Sequence, residues 1–69
     1  METNRYYNWR DFGIRVKNAR NSLGMTVEKL AEQTGKSENF IFKIESGQSC
    51  SINTLIQLSK ALNKPTDYF

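Results

Sequence analysis

The feature that most constrains this chain is a series of residues that tolerate a left-handed backbone. Four such residues each follow a segment whose apolar side chains recur at helical spacing: Gly24, Gly35, Gly47 and Asn63. A left-handed residue ends a helix at little cost. The same segments are preceded by residues that commonly cap a helix N-terminus: Asn8, Thr26, Ser37 and Ser51. This alternation predicts helices over about residues 9–23, 27–34, 38–46 and 52–62.

Apolar stripes along the four segments are predicted to form a common core. In chain order they are Phe12, Val16, Ala19 and Leu23, then Val27, Leu30, Ala31 and Thr34, then Phe40, Ile41 and Ile44, then Ile52, Leu55, Leu58, Ala61 and Leu62. No convincing strand-like alternation occurs. With Thr66 capping a short further helix, the sequence predicts an all-α, compact bundle of about five helices. Because few residues separate the second and third helices, they are predicted to cross steeply, with Ala31 and Gly35 at the corner.

The length and composition exclude many classes of protein. A chain of 69 residues forms one small domain, predicted over residues 9–69 after a flexible N-terminal arm over residues 1–8. Histidine is absent and Cys50 is the only cysteine, so a Ser/His/Asp triad, a Cys/His dyad and the usual zinc sites are excluded. We therefore expect no enzyme activity, metal, cofactor or small-molecule substrate. A lone cysteine and the lack of an apolar run of roughly 20 residues predict a cytoplasmic protein without a membrane partner.

The central part of the sequence has a characteristic spacing. It resembles the helix-turn-helix of Cro-type and lambda-repressor-like (XRE) DNA-binding proteins through Leu30-Ala31, Gly35, Ser37, Ile41, Ile44-Glu45 and Gly47. The flanks are similar to the first and fourth helices of that family through Phe12-Gly13, Val16 and Ala19-Arg20, and through Thr54-Leu55, Leu58 and Lys60-Ala61-Leu62. The resemblance covers residues 12–69 and implies that the second and third helices form the motif, with the third helix in the major groove of DNA.

The resemblance implies a sequence-specific, double-stranded DNA-binding transcriptional regulator, a repressor that binds a palindromic operator as a homodimer. Base contacts are expected from the start of the third helix, on the side away from its apolar stripe: Ser37, Glu38, Asn39 and Lys43. An asparagine can pair with adenine, a lysine can donate to guanine, and a glutamate can accept from the amino group of cytosine. Ser37 is expected to cap the helix more than to contact a base.

Phosphate contacts are expected from hydroxyl, amide and basic side chains around the motif: Thr26, Ser46, Gln48, Ser49 and Arg15. The net charge is +3, but residues 25–47 contain three basic and four acidic side chains. Much of the attraction for DNA must therefore come from cations near the N-terminus: Arg5, Arg10, Arg15 and Lys17.

Arg20 and Glu45 lie next to the apolar stripes of their helices. In the family that the chain resembles, the matching positions form a partly buried ion pair, which would tie the first helix to the third. The alternative is two exposed charges worth about 0 to 1 kcal/mol, whereas loss of one partner from a buried pair costs about 3 to 5 kcal/mol. The structural pair is the prediction.

Several aromatic and apolar side chains leave alternatives open. Phe42 is predicted to be more exposed than Phe40; it contacts a thymine methyl or a sugar, contacts a protein, or is a tolerated surface residue. Three aromatic residues near the N-terminus are expected to cover the core or a dimer contact rather than to stack on DNA: Tyr6, Tyr7 and Trp9. A dimer surface is expected to begin at Leu62, Tyr68 and Phe69.

The alternative function is a protein-interaction domain on the same scaffold that does not bind DNA. Val27 and Glu38 favour it, because they stand where relatives often carry amide side chains. Phe42 and the uncharged loop after the third helix favour it as well. The two functions differ in their response to salt, since binding through phosphates weakens steeply with salt concentration and an apolar protein contact barely responds.

Overall fold

The computed structural model of the protein describes residues 7–69 as four α-helices and one short 3-10 turn. The helices are α1 (Trp9–Ser22), α2 (Val27–Thr34), α3 (Glu38–Glu45) and α4 (Ile52–Ala61), and the turn covers Thr66–Tyr68. These residues contain no strand, which confirms the all-α prediction. None of their helices combines the length and the hydropathy that crossing a bilayer requires.

The helix boundaries follow the predicted caps. In each α-helix the cap side chain accepts a hydrogen bond from the N–H three residues later; the caps are Asn8, Thr26, Ser37 and Ser51. The predicted left-handed residues all have positive φ: Gly24 at 64°, Gly35 at 69°, Gly47 at 114° and Asn63 at 56°. The fifth helix differs from the prediction, because it is a 3-10 turn that Pro65 precedes, and Thr66 lies inside it without a side-chain cap.

The core lies where α3 packs against both α1 and α2, and α2 against α4. It consists of Phe12, Val16, Ala19, Leu30, Ala31, Ile41, Ile44, Leu58 and Leu62. Two predicted core residues are wrong. Leu23 is 50% exposed because it is the residue at which α1 ends, where the backbone has left the helical conformation. Ile52 is 68% exposed because it is the first residue of α4, whose buried positions begin at Thr54.

An aromatic cluster joins the start of α1 to the C-terminal turn. Trp9 and Phe69 pack edge-to-face on the buried ring of Phe12, at centroid distances of 5.2 and 5.5 Å. The hydroxyl of Tyr7 donates a hydrogen bond to the carbonyl of Phe69. Tyr7 and Trp9 therefore cover the core, one of the two roles expected of them, while Arg5, Tyr6 and most of the predicted arm lie outside the described residues.

The predicted start of a dimer surface at the C-terminus is wrong for one residue. Leu62 is 1% exposed and belongs to the core. Tyr68 and Phe69 are half-buried, and their rings pack on each other at a centroid distance of 4.9 Å. The residues after α4 therefore pack against the core. The large apolar side chains that α4 exposes are Ile52 and Ile56.

Gly13 allows the backbone of α1 to approach the end of α3. A Cβ atom at this position would lie 2.4 Å from the carbonyl oxygen of Ile44 and 2.9 Å from that of Glu45. Both distances are far below a normal contact, and both atoms belong to the backbone, so neither can turn aside. The separation between α1 and α3 therefore depends on a residue without a side chain.

We expect Gly13→Ala to destabilise the protein by about 1 to 3 kcal/mol, because the added methyl group forces α1 and α3 apart. At an ordinary helix position the same change would stabilise by about 0.5 to 1 kcal/mol. Urea unfolding followed by circular dichroism measures the difference. Asn18→Ala, at an exposed position of the same helix, is the control and should differ from the wild type by less than about 0.5 kcal/mol. A Gly13→Ala protein as stable as the wild type would contradict the close approach.

Candidate nucleic-acid interface

The corner between α2 and α3 is built by three residues with separate roles. Gly35 adopts the left-handed conformation that ends α2, and the N–H of Lys36 returns to the carbonyl of Ala31 at 2.9 Å. Ser37 then starts α3, its Oγ accepting from the N–H of Phe40 at 3.0 Å. Ala31 is buried beneath this corner. The chain therefore changes direction within three residues, and the N–H groups of Gly35, Lys36 and Phe40 all have partners at this corner.

The helix α3 has one buried side and one exposed side. Ile41 and Ile44 are fully buried in the core, and Phe40 packs partly against it. On the opposite side the side chains of five residues are exposed: Glu38, Asn39, Phe42, Lys43 and Ser46. We call these five residues the α3 outer face. Their spacing of three to four residues is that of one helix surface.

The predicted base-contacting residues lie together at this surface. Glu38, Asn39 and Lys43 belong to the α3 outer face, and Ser37 is exposed directly before it. Within the part of the chain that the structure describes, no hydrogen bond or salt bridge engages the side chains of Glu38, Asn39 and Lys43. Ser37 carries out the capping role expected of it. The surface therefore presents donor groups on Asn39 and Lys43, and acceptor groups on Glu38 and Asn39, to an external partner.

The predicted phosphate-contacting residues divide into two groups. Ser46 and Gln48 border a shallow groove of about 410 Å³ with Phe42 and Lys43, and Ser49 is exposed next to them. Thr26 is exposed at the start of α2, where its hydroxyl accepts from the N–H of Lys29 at 3.0 Å. These four residues all adjoin the helix-turn-helix.

Arg15, the fifth predicted phosphate contact, lies at a different place. Its Nε donates to Asp11 at 2.8 Å, and its Nη1 donates to the carbonyl of Tyr68 at 3.2 Å. The hydrogen bond to Asp11 raises the pKa of Arg15 further. The guanidinium is thus engaged with α1 and the C-terminal turn, and not with the groove beside α3.

The structure brings another cation to the α3 end of the domain. A Cβ atom at Gly47 would lie 3.0 Å from Cγ of Arg10, so the stem of Arg10 passes over the loop that follows α3. From the sequence, Arg10 was expected only to add to the general positive charge near the N-terminus. The signal that points to its position is Gly47, whose lack of a side chain leaves room for the arginine.

Arg20 and Glu45 form a bidentate ion pair. The Nε and Nη2 atoms of Arg20 donate to the two carboxylate oxygens of Glu45 at 2.7 and 3.1 Å, and Nη1 donates to the carbonyl of Met25 at 2.9 Å. The two side chains are only 11% and 8% exposed. One guanidinium therefore joins α1, the turn before α2 and the end of α3, which fixes the orientation of the α3 outer face.

Cys50 and the acidic residues do not form a second site. Cys50 is half-buried before α4, and burial raises the pKa of its thiol, an effect that the charge of Lys36 opposes. Within residues 7–69, no group of three or more His, Cys, Asp or Glu side chains is placed to hold a metal ion.

A sequence model of a helix-turn-helix family, HTH_3, matches residues 16–69. The chain belongs to this family. Within it, α2 and α3 are the helix-turn-helix, in agreement with the resemblance of the sequence. No curated protein sequence matches the chain.

Solved structures share the fold. The restriction-modification controller protein C.AhdI from Aeromonas hydrophila is 24% identical with a TM-score of 0.83, over 87% of this chain and 92% of that one. An HTH_3 family transcriptional regulator from Vibrio cholerae is 28% identical with a TM-score of 0.78, over 86% of this chain and 34% of that one. SinR, a master regulator for biofilm formation solved in complex with DNA, is 28% identical with a TM-score of 0.76, over 81% of this chain and 92% of that one.

We expect Arg20→Met to destabilise the protein by about 3 kcal/mol, because it leaves the Glu45 carboxylate buried without a partner. Urea unfolding measures the change. The control is Lys29→Met, which removes an exposed cation 3.7 Å from Glu32 and should cost less than about 1 kcal/mol. The double variant Arg20→Met/Glu45→Met should be less destabilised than the sum of its single variants. Equal effects of Arg20→Met and Lys29→Met would argue against a structural role for the pair.

Proposed function

We propose that this protein is a sequence-specific, double-stranded DNA-binding transcriptional regulator, a repressor that binds a palindromic operator as a homodimer. The observation that carries the proposal is the α3 outer face, which is exposed along the helix while the other side of α3 is buried. An α-helix fits the major groove, which is about 12 Å wide. The complex of SinR with DNA supports the same use of the fold.

The polar residues of α3 have complementary roles in this proposal. Asn39 donates and accepts at once on the major-groove edge of adenine, and Lys43 donates to guanine. Glu38 only accepts, so it selects a base with an exposed amino group, typically cytosine. Because its charge repels phosphate, Glu38 contributes to specificity and not to general affinity.

Thr26, Ser46, Gln48 and Ser49 contact phosphates around the groove in this proposal. The N–H groups at the start of α2 add a partial positive charge beside Thr26. Arg10 supplies the cation that the loop after α3 lacks, since its stem lies against Gly47. Arg15 has a lesser role, because Asp11 and Tyr68 already occupy its guanidinium.

A homodimer follows from the small size and low charge of the domain. One module of this kind buries about 600 to 1,000 Å² on DNA, and two modules on a symmetric site multiply their affinities. Ile52 and Ile56 lie one turn apart on α4 and are 68% and 37% exposed. They replace Leu62 as the apolar surface that we propose for the contact between two copies. Bound dimers would repress by covering the operator.

The second candidate function is a protein-interaction domain on the same fold. The observation in its favour is Phe42, which is 53% exposed in the centre of the α3 outer face. Its contact would be mainly apolar, and its affinity would depend little on salt.

Selection from random duplex oligonucleotides should yield a symmetric site. We expect Asn39→Ala and Lys43→Ala each to weaken binding to that site by about 1 to 3 kcal/mol and to relax the preference at one base pair per half-site. Asn18→Ala and Lys60→Ala, which remove the same side-chain types from exposed positions of α1 and α4, are the controls and should keep the wild-type preference.

The salt dependence of the same binding reaction separates the two candidate functions. The wild-type affinity should fall linearly on logarithmic axes, with a slope of about 0.9 for each phosphate contacted. Asn39→Ala should keep the slope, and Arg10→Ala should reduce it. If no duplex is enriched, or if Asn39→Ala and Lys43→Ala both retain the wild-type preference, α3 is not the recognition helix.

The dimer is tested by sedimentation equilibrium. We expect Ile52→Glu to weaken self-association at least about tenfold, because the contact would bury an unpaired charge. Ile52 is exposed, so the circular dichroism spectrum should not change. Gln57→Glu places the same charge at another exposed position of α4 and should associate like the wild type. Unchanged association of Ile52→Glu would place the dimer contact elsewhere.

A further inference from the structure

Phe42 occupies an unusual place for an aromatic side chain. It lies in the middle of the α3 outer face, one turn after Glu38 and Asn39 and directly before Lys43, and it is 53% exposed. The other phenylalanine of α3 behaves differently, since Phe40 packs partly against the core and carries Nζ of Lys36 5.3 Å from its ring centroid. Only one of the two rings therefore serves the packing of the domain.

The ring of Phe42 has no role in holding α3 together. Its backbone carbonyl accepts from the N–H and the hydroxyl of Ser46, at 3.0 and 2.8 Å, and these bonds do not involve the ring. Within residues 7–69, no aromatic pair and no cation–π contact includes this ring. The ring forms one wall of the shallow groove that it shares with Lys43, Ser46 and Gln48. A variant without the ring should therefore fold.

The neighbours of Phe42 restrict what the ring can contact. Every other member of the α3 outer face is a hydrogen-bonding or charged side chain suited to base edges or phosphates. An apolar ring gains nothing against a phosphate, and the major-groove edges of the bases carry only one apolar substituent, the methyl group at C5 of a pyrimidine. Thymine carries this methyl group by nature, and cytosine carries it after methylation.

We propose that Phe42 is a specificity-determining residue that packs on a pyrimidine C5-methyl group in the major groove. This inference rests on the proposed DNA binding and adds to it an apolar element of recognition. Four residues of α-helix advance by about 6 Å, and successive bases by about 3.4 Å. The methyl group therefore lies within about two base pairs of the base that Glu38 contacts.

The experiment removes or adds single methyl groups on the DNA. In the site selected by the wild-type protein, each thymine of a half-site is replaced in turn by deoxyuridine, and each cytosine by 5-methylcytosine. Dissociation constants are measured for the wild type, for Phe42→Ala and for Ile14→Ala. The last variant is the matched control, because it truncates an apolar side chain that is 54% exposed on α1.

At one position, we expect deoxyuridine to weaken wild-type binding about fourfold per half-site, the value of one buried methyl group. Phe42→Ala should bind the thymine and deoxyuridine sites equally, and Ile14→Ala should discriminate like the wild type. A thymine effect assigns the natural base. An effect confined to 5-methylcytosine assigns the methylated one.

Two outcomes would overturn the inference. The first is a wild-type protein whose binding no methyl group alters. The second is a methyl effect that persists in Phe42→Ala; if that variant also loses self-association, the ring is a protein contact. If binding still depends on Asn39 and Lys43 in these cases, the proposed function stands; if the wild type selects no duplex, both proposals fail.

Discussion

The position of α3 depends on its junction with α1. Two features meet at the same end of α3: Gly13 lies against the carbonyl groups of Ile44 and Glu45, and Arg20 binds the Glu45 carboxylate. A carboxylate is unfavourable at a helix C-terminus, because the free carbonyl groups there already carry partial negative charge. Arg20 offsets this charge while its third nitrogen holds the turn before α2. Close packing sets the distance between the helices, and the ion pair sets their rotation.

The charge of the domain is distributed unevenly between the α3 outer face and its surroundings. The α3 outer face contains one anion, Glu38, and one cation, Lys43, so its own field is weak. A further cation reaches the loop after α3 from α1, where the stem of Arg10 lies against Gly47. In the function that we propose, this surface discriminates among bases by the pattern of its donors, acceptors and apolar groups. The strength of binding then comes from cations outside the face and from the proposed second copy.

Much of the fold was predictable from local chemistry. Caps and left-handed residues act within a few positions of themselves, and for this reason Asn8, Thr26 and Gly35 marked the helix ends correctly. The exposed side of α3 was predictable from the spacing of Ile41 and Ile44. The predicted burial of Leu23 and Ile52 was wrong, because helical periodicity does not show where an apolar stripe extends beyond the buried turns of its helix.

The remaining features depend on contacts between distant residues. In the sequence, Gly13 is a glycine inside a predicted helix, which it weakens. The close approach of α3 explains why this position lacks a side chain. From the sequence, Arg15 was expected to contact phosphate. In the structure its guanidinium donates to the carbonyl of Tyr68, which lies 53 positions away in the chain. Leu62 follows the apolar stripe of α4 into the core, and only its second expected role, in a dimer surface, was wrong. The roles of Glu38, Asn39 and Lys43 toward DNA stay predictions, because they concern a partner.

The helix α3 contains only eight residues, fewer than an isolated helix needs to be stable in water. It has no independent existence as a binding element, and its outer face persists only while α1 and α2 hold its inner side. A substitution that loosens α1 from α3, at Gly13 or Arg20, therefore removes the outer face together with the fold. A substitution on the outer face changes its chemistry and leaves the fold in place.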